Sequence, residues 1–178
     1  LAEKYPKSIM KIHNSGHLIG SHSYYHRSNH KLTRKQFEAD LNMSCNLLGE
    51  LTGTEINCYR APSFSISNKN LWVLETLVNA GIKYDFSIFN SLRLGGGIRT
   101  KLNLSAPFKI NIGKQSIIEF PISMYSAFDL LSWPMSGGGY FRLTPLSIIS
   151  HYARKTEYFM FYIHPRDIDA FQPRLRDC

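Results

Sequence analysis

The chain is poor in cysteine, in long apolar runs and in clustered charge. Its 178 residues include three cysteines, Cys45, Cys58 and Cys178, with no Cys-x-x-Cys pair. An odd number at wide spacing argues against a disulfide framework or a cysteine-based zinc site. Cys45 falls in an expected helix and Cys58 in an expected strand, where a thiol serves as a small buried hydrophobe. No run approaches 18 apolar residues and no charged-then-apolar signal opens the chain, so neither a transmembrane segment nor a leader is expected. A cytoplasmic protein is the corresponding expectation. The sequence opens at Leu1, without Met, inside an expected helix, which suggests a fragment or a processed chain. Lysine and arginine total 21 against 13 acidic residues, a formal charge of +8. These cations are scattered, densest at Arg34-Lys35, with no zinc-finger, RNA-binding or basic-zipper pattern. The charge reads as a solvated surface, and no nucleic-acid partner is expected. No solenoid-type repeat or low-complexity stretch is present.

What is present fits one globular domain. Hydrophobic residues make up 43% and charged residues 19%, enough for a substantial core. Aromatics reach 13%, which suits a carbohydrate cleft and an aromatic core alike. Histidine is unevenly placed: five of the seven, His13, His17, His22, His26 and His30, lie within residues 13–30.

Residues 6–14 carry Ile9, Met10 and Ile12 after Pro6, and Asn14-Ser15-Gly16 stops this first helix. A short strand is expected at 17–21. Thr33 opens a capping box with Gln36, and Phe37, Leu41, Leu48 and Leu51 recur at helical spacing until Gly53. A strand at 56–59 leads to "RAPSFS". Ser67 is expected to cap a helix bearing Leu71, Leu74, Leu77 and Val78, ended by Gly81. A strand at 82–84 runs into Asp85, and strands are expected near 109–112 and 117–122. Long loops are expected at 86–108 and 124–140, the second including "SGGGYF" at 136–141. Thr144 and Pro145 open a last helix to about Lys155. "YFMFYI" at 158–163 reads as a strand buried on both faces. Alternating helices and strands imply parallel pairing with helices outside. His22 and His26 then follow the first strand, Arg60 the second, Asp85 the third and His164 the last. Catalytic residues of a β/α barrel gather at such strand ends.

His22 and His26 stand four residues apart, which brings both imidazoles to one side of a turn. Such a pair binds Zn²⁺, Co²⁺, Ni²⁺ or Fe²⁺ and calls for a third ligand, usually a carboxylate. An isolated H-x-x-x-H is a weak signal, and His13, His17 and His30 read as surface or supporting histidines. Arg60 is either a fork holding a buried carboxylate or a surface arginine before a turn. Asp85 is a site carboxylate or a turn residue. His164 is a satisfied core histidine or a proton donor near neutral pH.

Together, H-S-x-x-H at 22–26, R-A-P-S-F at 60–64, Y-D-x-S at 84–87 and a strand ending in His164-Pro165 resemble the NodB-type polysaccharide deacetylases, the fourth carbohydrate esterase family. "GHLIGSHSYYH", "YRAPSFSIS", "YDFSIF", "GGGYFRLTP" and "YIHPRDID" most resemble the branch found in bacterial exopolysaccharide and lipopolysaccharide gene clusters. Order and spacing agree over nearly the whole chain. The resemblance implies an α/β fold, a distorted (β/α)₇ barrel here lacking its N-terminal strand or strands, as one catalytic domain over 1–178. It implies His22 and His26 as ligands of a divalent metal, most commonly Zn²⁺. Arg60 would orient the catalytic base, and Ser63 would lie where a backbone N–H helps hold the oxyanion, with Phe64 beside it on the substrate. Asp85 would tune His164, the general acid. The implied reaction is metal-assisted hydrolysis of an N-acetyl group on amino sugars of a bacterial surface polysaccharide or its precursor.

The family's paired aspartates, supplying the base and the third metal ligand, are expected upstream of Leu1. Asp40 on a helix face and Glu3 in an opening helix are not substitutes for them. Leu18 stands where an acidic residue often follows the histidine, and Arg166 where an aromatic is usual. Tyr140, Phe141 and Trp133 either line the sugar site or fill the core. A non-catalytic carbohydrate-binding or interaction protein on the same fold is the alternative. The missing aspartates favour that alternative, whereas retention of His22, His26, Arg60, Asp85 and His164 favours the enzyme.

Overall fold

The computed structural model describes residues 1–88, 98, 106–127, 131–134, 136–169 and 171, excepting the side chains of 125–127, 131–133, 138, 139 and 166. It divides into two compact units, Leu1–Pro121 and Ile122–Cys178.

In the first unit, helix α1 spans Pro6–Asn14 and stops before Gly16, whose φ of 84° suits glycine. Glu3 lies in a turn before α1, not in a helix. Helix α2, Arg34–Thr52, has the expected ends. The Gln36 N–H donates to Thr33 Oγ1, and the Thr33 N–H donates back to Gln36 Oε1 at 2.9 Å. At the other end Gly53 adopts φ 68°, and its N–H donates to the Gly49 carbonyl. The inner face of α2 buries Phe37, Leu41 and Leu48, each burial worth about 1.5–3 kcal/mol. Two polar residues, Asp40 and Ser44, interrupt that face and are equally buried.

Helix α3 spans Trp72–Asn79 and buries Val73, Leu74, Leu77 and Val78. It begins later than expected, because Ser67 makes its own turn. The Ser67 N–H donates to Asn70 Oδ1 at 2.7 Å, and the Asn70 side chain donates to the Ser65 carbonyl.

Strands β1 (Cys58–Tyr59), β2 (Tyr84–Asp85), β3 (Phe108–Ile112) and β4 (Gln115–Glu119) form one sheet in the order β1-β2-β4-β3. The pairs β1–β2 and β2–β4 are parallel, and β3 returns antiparallel on β4. Gly113, at φ 59°, makes the turn between β3 and β4. The strand expected at 17–21 is reduced to one parallel bridge, Ser21 to Tyr59. The sheet is mixed and open, so the expected (β/α)₇ barrel is not seen among the described residues. The core of the unit joins Phe37, Leu41, Tyr59, Ile66, Leu77, Ile82 and Ile117.

In the second unit, β5 (Met124–Ala127) and β6 (Leu131–Pro134) pair antiparallel where a loop was expected. Gly137, at φ 89°, starts helix α4 (Gly138–Leu143), so "GGYF" is helical and not a loop. Helix α5 is Leu146–Lys155 with Pro145, not Thr144, at its N-cap. Helix α6 is Pro165–Ile168. The expected strand 158–163 is absent, and none of its residues is fully buried. Its alternate N–H groups are taken by side chains: Met160 donates to Ser123 Oγ at 2.8 Å and Tyr162 to Ser136 Oγ at 3.1 Å. Hydroxyl acceptors there replace a ladder. Cys45 and Cys58 are free thiols, and Cys58 is buried. Among the described residues no helix is long and apolar enough to cross a membrane.

Candidate active site

The Ser21–Tyr59 bridge places the histidine segment beside "RAPSF". His22 and His26 stand edge to face with ring centroids 4.9 Å apart. His22 Nδ1 lies 2.7 Å from the Arg60 carbonyl. A carbonyl only accepts, so Nδ1 carries the proton and the ring lone pair falls on Nε2. A hydrogen bond of this kind fixes the orientation of a metal-ligating histidine.

The backbone of both segments is strained. Ser23 (φ 68°), His26 (55°), Ser63 (54°) and Phe64 (52°) are the non-glycine residues with positive φ among those described. All four belong to H-S-x-x-H or R-A-P-S-F, and such outliers cluster at functional sites. The two segments are also tied through buried polar groups. The Asn29 N–H donates to Ser65 Oγ at 2.9 Å; separately, Ser21 Oγ ties the histidine segment to α2 by donating to Ser44 Oγ at 2.8 Å.

Arg60 leaves β1 with its guanidinium carbon 5.8 Å from the ring centroids of both Phe64 and Phe86. Its Nε–H donates to the Phe86 carbonyl at 3.3 Å. Aromatic contacts on such a planar cation restrict its orientation.

Behind Arg60 lies an acid pair. Asp85 and Glu119 are registered on the adjacent parallel strands β2 and β4, so their side chains share a sheet face, and both are fully buried. The Ser87 hydroxyl donates to Asp85 Oδ1 at 2.6 Å, and the Ile88 N–H donates to Glu119 Oε1 at 2.8 Å. Asp85 Oδ2 and Glu119 Oε2 find no donor while both groups are ionised. Burial pushes the Glu119 carboxyl well above the usual carboxylate range, and the Asp85 charge pushes it further. Burial raises Asp85 too, against hydrogen bonds from Glu119, Ser87 and the Phe86 N–H and the Arg60 charge, which lower it. A proton on Glu119 supplies the missing donor, so the two groups titrate as one carboxyl–carboxylate pair.

Residues 1–84 match the family described as polysaccharide deacetylase, and residues 87–178 match a domain of unknown function, DUF3473. The polysaccharide deacetylase match thus covers the first part of the chain, and the DUF3473 match the rest. It is 34% identical over 89 residues to a peptidoglycan deacetylase of Helicobacter pylori (strain ATCC 700392 / 26695), a match covering 50% of this chain and 29% of that relative. A crystal structure of a Mycobacterium smegmatis protein assigned as a polysaccharide deacetylase superposes with a TM-score of 0.57 at 25% identity, covering 68% of this chain and 37% of that one. A Pseudomonas aeruginosa PAO1 structure of the same assignment gives 0.50 at 19% identity, covering 68% and 36%, a likeness of fold.

The family implies a metal, and the histidine pair fits part of a coordination shell: two imidazoles on one loop, one with its tautomer set. Among the described residues no third His, Cys, Asp or Glu joins them. The first unit thus brings together His22, His26, Arg60, Ser63 and Phe64, with Asp85 behind Arg60. The second unit holds His164, Tyr140, Phe141 and Trp133. His164 is exposed and starts α6, where its Nδ1 lies 3.4 Å from Asp167 Oδ2 and its backbone N–H donates to the same oxygen at 2.9 Å. Phe141 packs edge to face on Phe161 at 5.2 Å, and Tyr140 is half-buried. The Trp133 side chain and most of loop 86–108 lie outside the described residues.

Three acidic residues stand beside the expected positions: Glu119 and Asp167, which the sequence reading did not single out, and Asp40, which it set aside. Glu119 sits in "IIEF", where one acid in an apolar strand was the available signal. Asp167 stands three residues after His164, the spacing of a capping box. Asp40 lies on the apolar stripe of α2, where a carboxylate must find partners.

Proposed function

We propose that the protein is a metal-dependent carbohydrate deacetylase removing N-acetyl groups from amino sugars of a bacterial surface polysaccharide or its precursor. The observation that carries this reading is the His22–His26 pair, with His22 oriented by the carbonyl of Arg60, so that two motifs meet in one place. The polysaccharide deacetylase match over residues 1–84 and the printed name of the Helicobacter pylori relative support the substrate class. The activity is proposed for the whole protein, since this chain spans 29% of that relative's length.

His22 and His26 would hold a divalent ion, most commonly Zn²⁺, which supplies a Lewis acid for the acetyl carbonyl and activates water. Arg60, restricted by Phe64 and Phe86, orients the carboxylate base by its fork of donors. The backbone at Ser63, with Phe64 beside it, lines the position of the developing oxyanion. His164, whose Nδ1 lies 3.4 Å from Asp167 Oδ2, would give its proton to the departing amine. Tyr140 and Phe141 would be sugar contacts from the second unit. Acetate and a free amino sugar are the products.

A second reading is carbohydrate binding without turnover. It is favoured by the two-ligand geometry, because no third ligating side chain joins the histidines among the described residues. Zinc content of the purified protein and of a His22→Ala/His26→Ala variant, with acetate release from chitooligosaccharide on the same samples, separates the two. About one zinc per chain, lost in the variant together with acetate release, is the expected result. Zinc without acetate moves the binding reading ahead, and no zinc in either sample refutes the metal site.

A further inference from the structure

We propose that Asp40 is a positioning residue that shapes the His22–His26 loop into a metal-binding conformation. The inference rests on the metal-site reading above and adds a residue to it. Asp40 is 5% exposed. Its Oδ2 accepts the Tyr24 N–H at 2.8 Å and its Oδ1 accepts the Tyr25 N–H at 3.0 Å. The two amides belong to the residues between Ser23 and His26, both of which have positive φ. One carboxylate therefore clamps the segment at the point where its backbone departs most from ordinary geometry.

The clamp does not stand alone. Ser44, one helical turn along α2, accepts the Ser21 hydroxyl at 2.8 Å, and Ser21 Oγ accepts the Ser23 N–H at 3.3 Å. Helix α2 thus holds the loop from both sides of His22 with two side chains on one face. Neither Asp40 oxygen is pointed at an imidazole in these contacts; both are used on backbone N–H groups. That makes Asp40 a support for the histidines and not a ligand. A carboxylate bridging two consecutive amides holds the chain direction more tightly than a single neutral acceptor. Loss of an outer support of this kind typically lowers metal affinity about 10- to 100-fold.

The test uses the full chain with zinc alone as the probe. Zinc affinity is measured by competition titration for the wild type, Asp40→Ala, Asp40→Asn and Thr52→Val. Thr52 is a buried α2 residue whose hydroxyl bonds to the Leu48 carbonyl and Thr54, away from the histidine loop. It controls for loss of helix stability. Hydrogen exchange at the Tyr24 and Tyr25 amides is read on the same proteins. We expect Asp40→Ala to weaken zinc binding about 10- to 100-fold, Asp40→Asn to fall between it and wild type, and Thr52→Val to change nothing. Both amides should exchange faster in Asp40→Ala, while amides of the α3 core keep their protection. Should Asp40→Ala fail to fold, Asp40→Asn carries the comparison. Unchanged zinc affinity in the Asp40 variants, or equal losses in them and in Thr52→Val, overturns the proposal. If the wild type binds no zinc, the metal-site reading fails, and with it the claim that the clamp serves a metal. Unchanged amide exchange overturns the clamp itself, with or without zinc.

Discussion

Replacing Glu119 with glutamine tests the buried acid pair. Both carboxyls are raised, Glu119 by burial and by the neighbouring Asp85 charge, and Asp85 by burial. The folded chain therefore keeps a proton that the unfolded chain releases once pH passes the ordinary carboxylate range. The resulting stability is complete at acid pH and is lost as pH rises through the folded value. For one proton the slope is about 1.4 kcal/mol per pH unit across that window. A domain of this size moves its thermal midpoint by about 2–4 °C per kcal/mol, so roughly 3–6 °C per pH unit is at stake. Glutamine keeps an oxygen for the Ile88 N–H, supplies a permanent N–H donor toward Asp85 Oδ2, and does not titrate. Thermal midpoints of the wild type and Glu119→Gln, followed by circular dichroism from pH 4 to pH 8, give the comparison. The two should nearly coincide at the acid end, and the variant should gain steadily as pH rises, until the pair has lost its proton. Titrations shared by both proteins cancel in the difference. A difference curve that stays flat, or a wild type that gains on the variant with rising pH, would refute the shared proton.

Two further outcomes follow from local geometry. Gly20→Ala places a Cβ 2.9 Å from Cys58 Cβ and 3.1 Å from the Cys58 carbonyl, so it should cost about 1–3 kcal/mol in urea unfolding and disturb the Ser21–Tyr59 bridge. Thr33→Ala removes the cap of α2 at an exposed position, and a loss of about 1 kcal/mol with unchanged zinc content is the expected reading.

The features legible in the sequence were those decided within a few residues. The capping box at Thr33 and the glycine ending α2 each need only near neighbours. The apolar run at 158–163 has the composition of a buried strand, but composition cannot supply a partner, and Ser123 and Ser136 take its amides instead. Ser67 fails as a helix cap because Asn70, three residues on, competes for it. Barrel closure depends on pairings between distant strands, which no local pattern encodes. At the candidate site the spacing of His22 and His26 pointed to one loop. The Asp40 clamp and the Asp85–Glu119 register required the tertiary structure, because each joins segments separated by 15 or more residues.

The four strained residues of the two motifs share one consequence. Glycine would occupy the positive-φ positions of Ser23, His26, Ser63 and Phe64 without steric penalty. Substitution by glycine there would relieve that local strain. Each position instead keeps a side chain that makes the local backbone less comfortable. The strain marks where the direction of a side chain is held at a cost to local backbone stability.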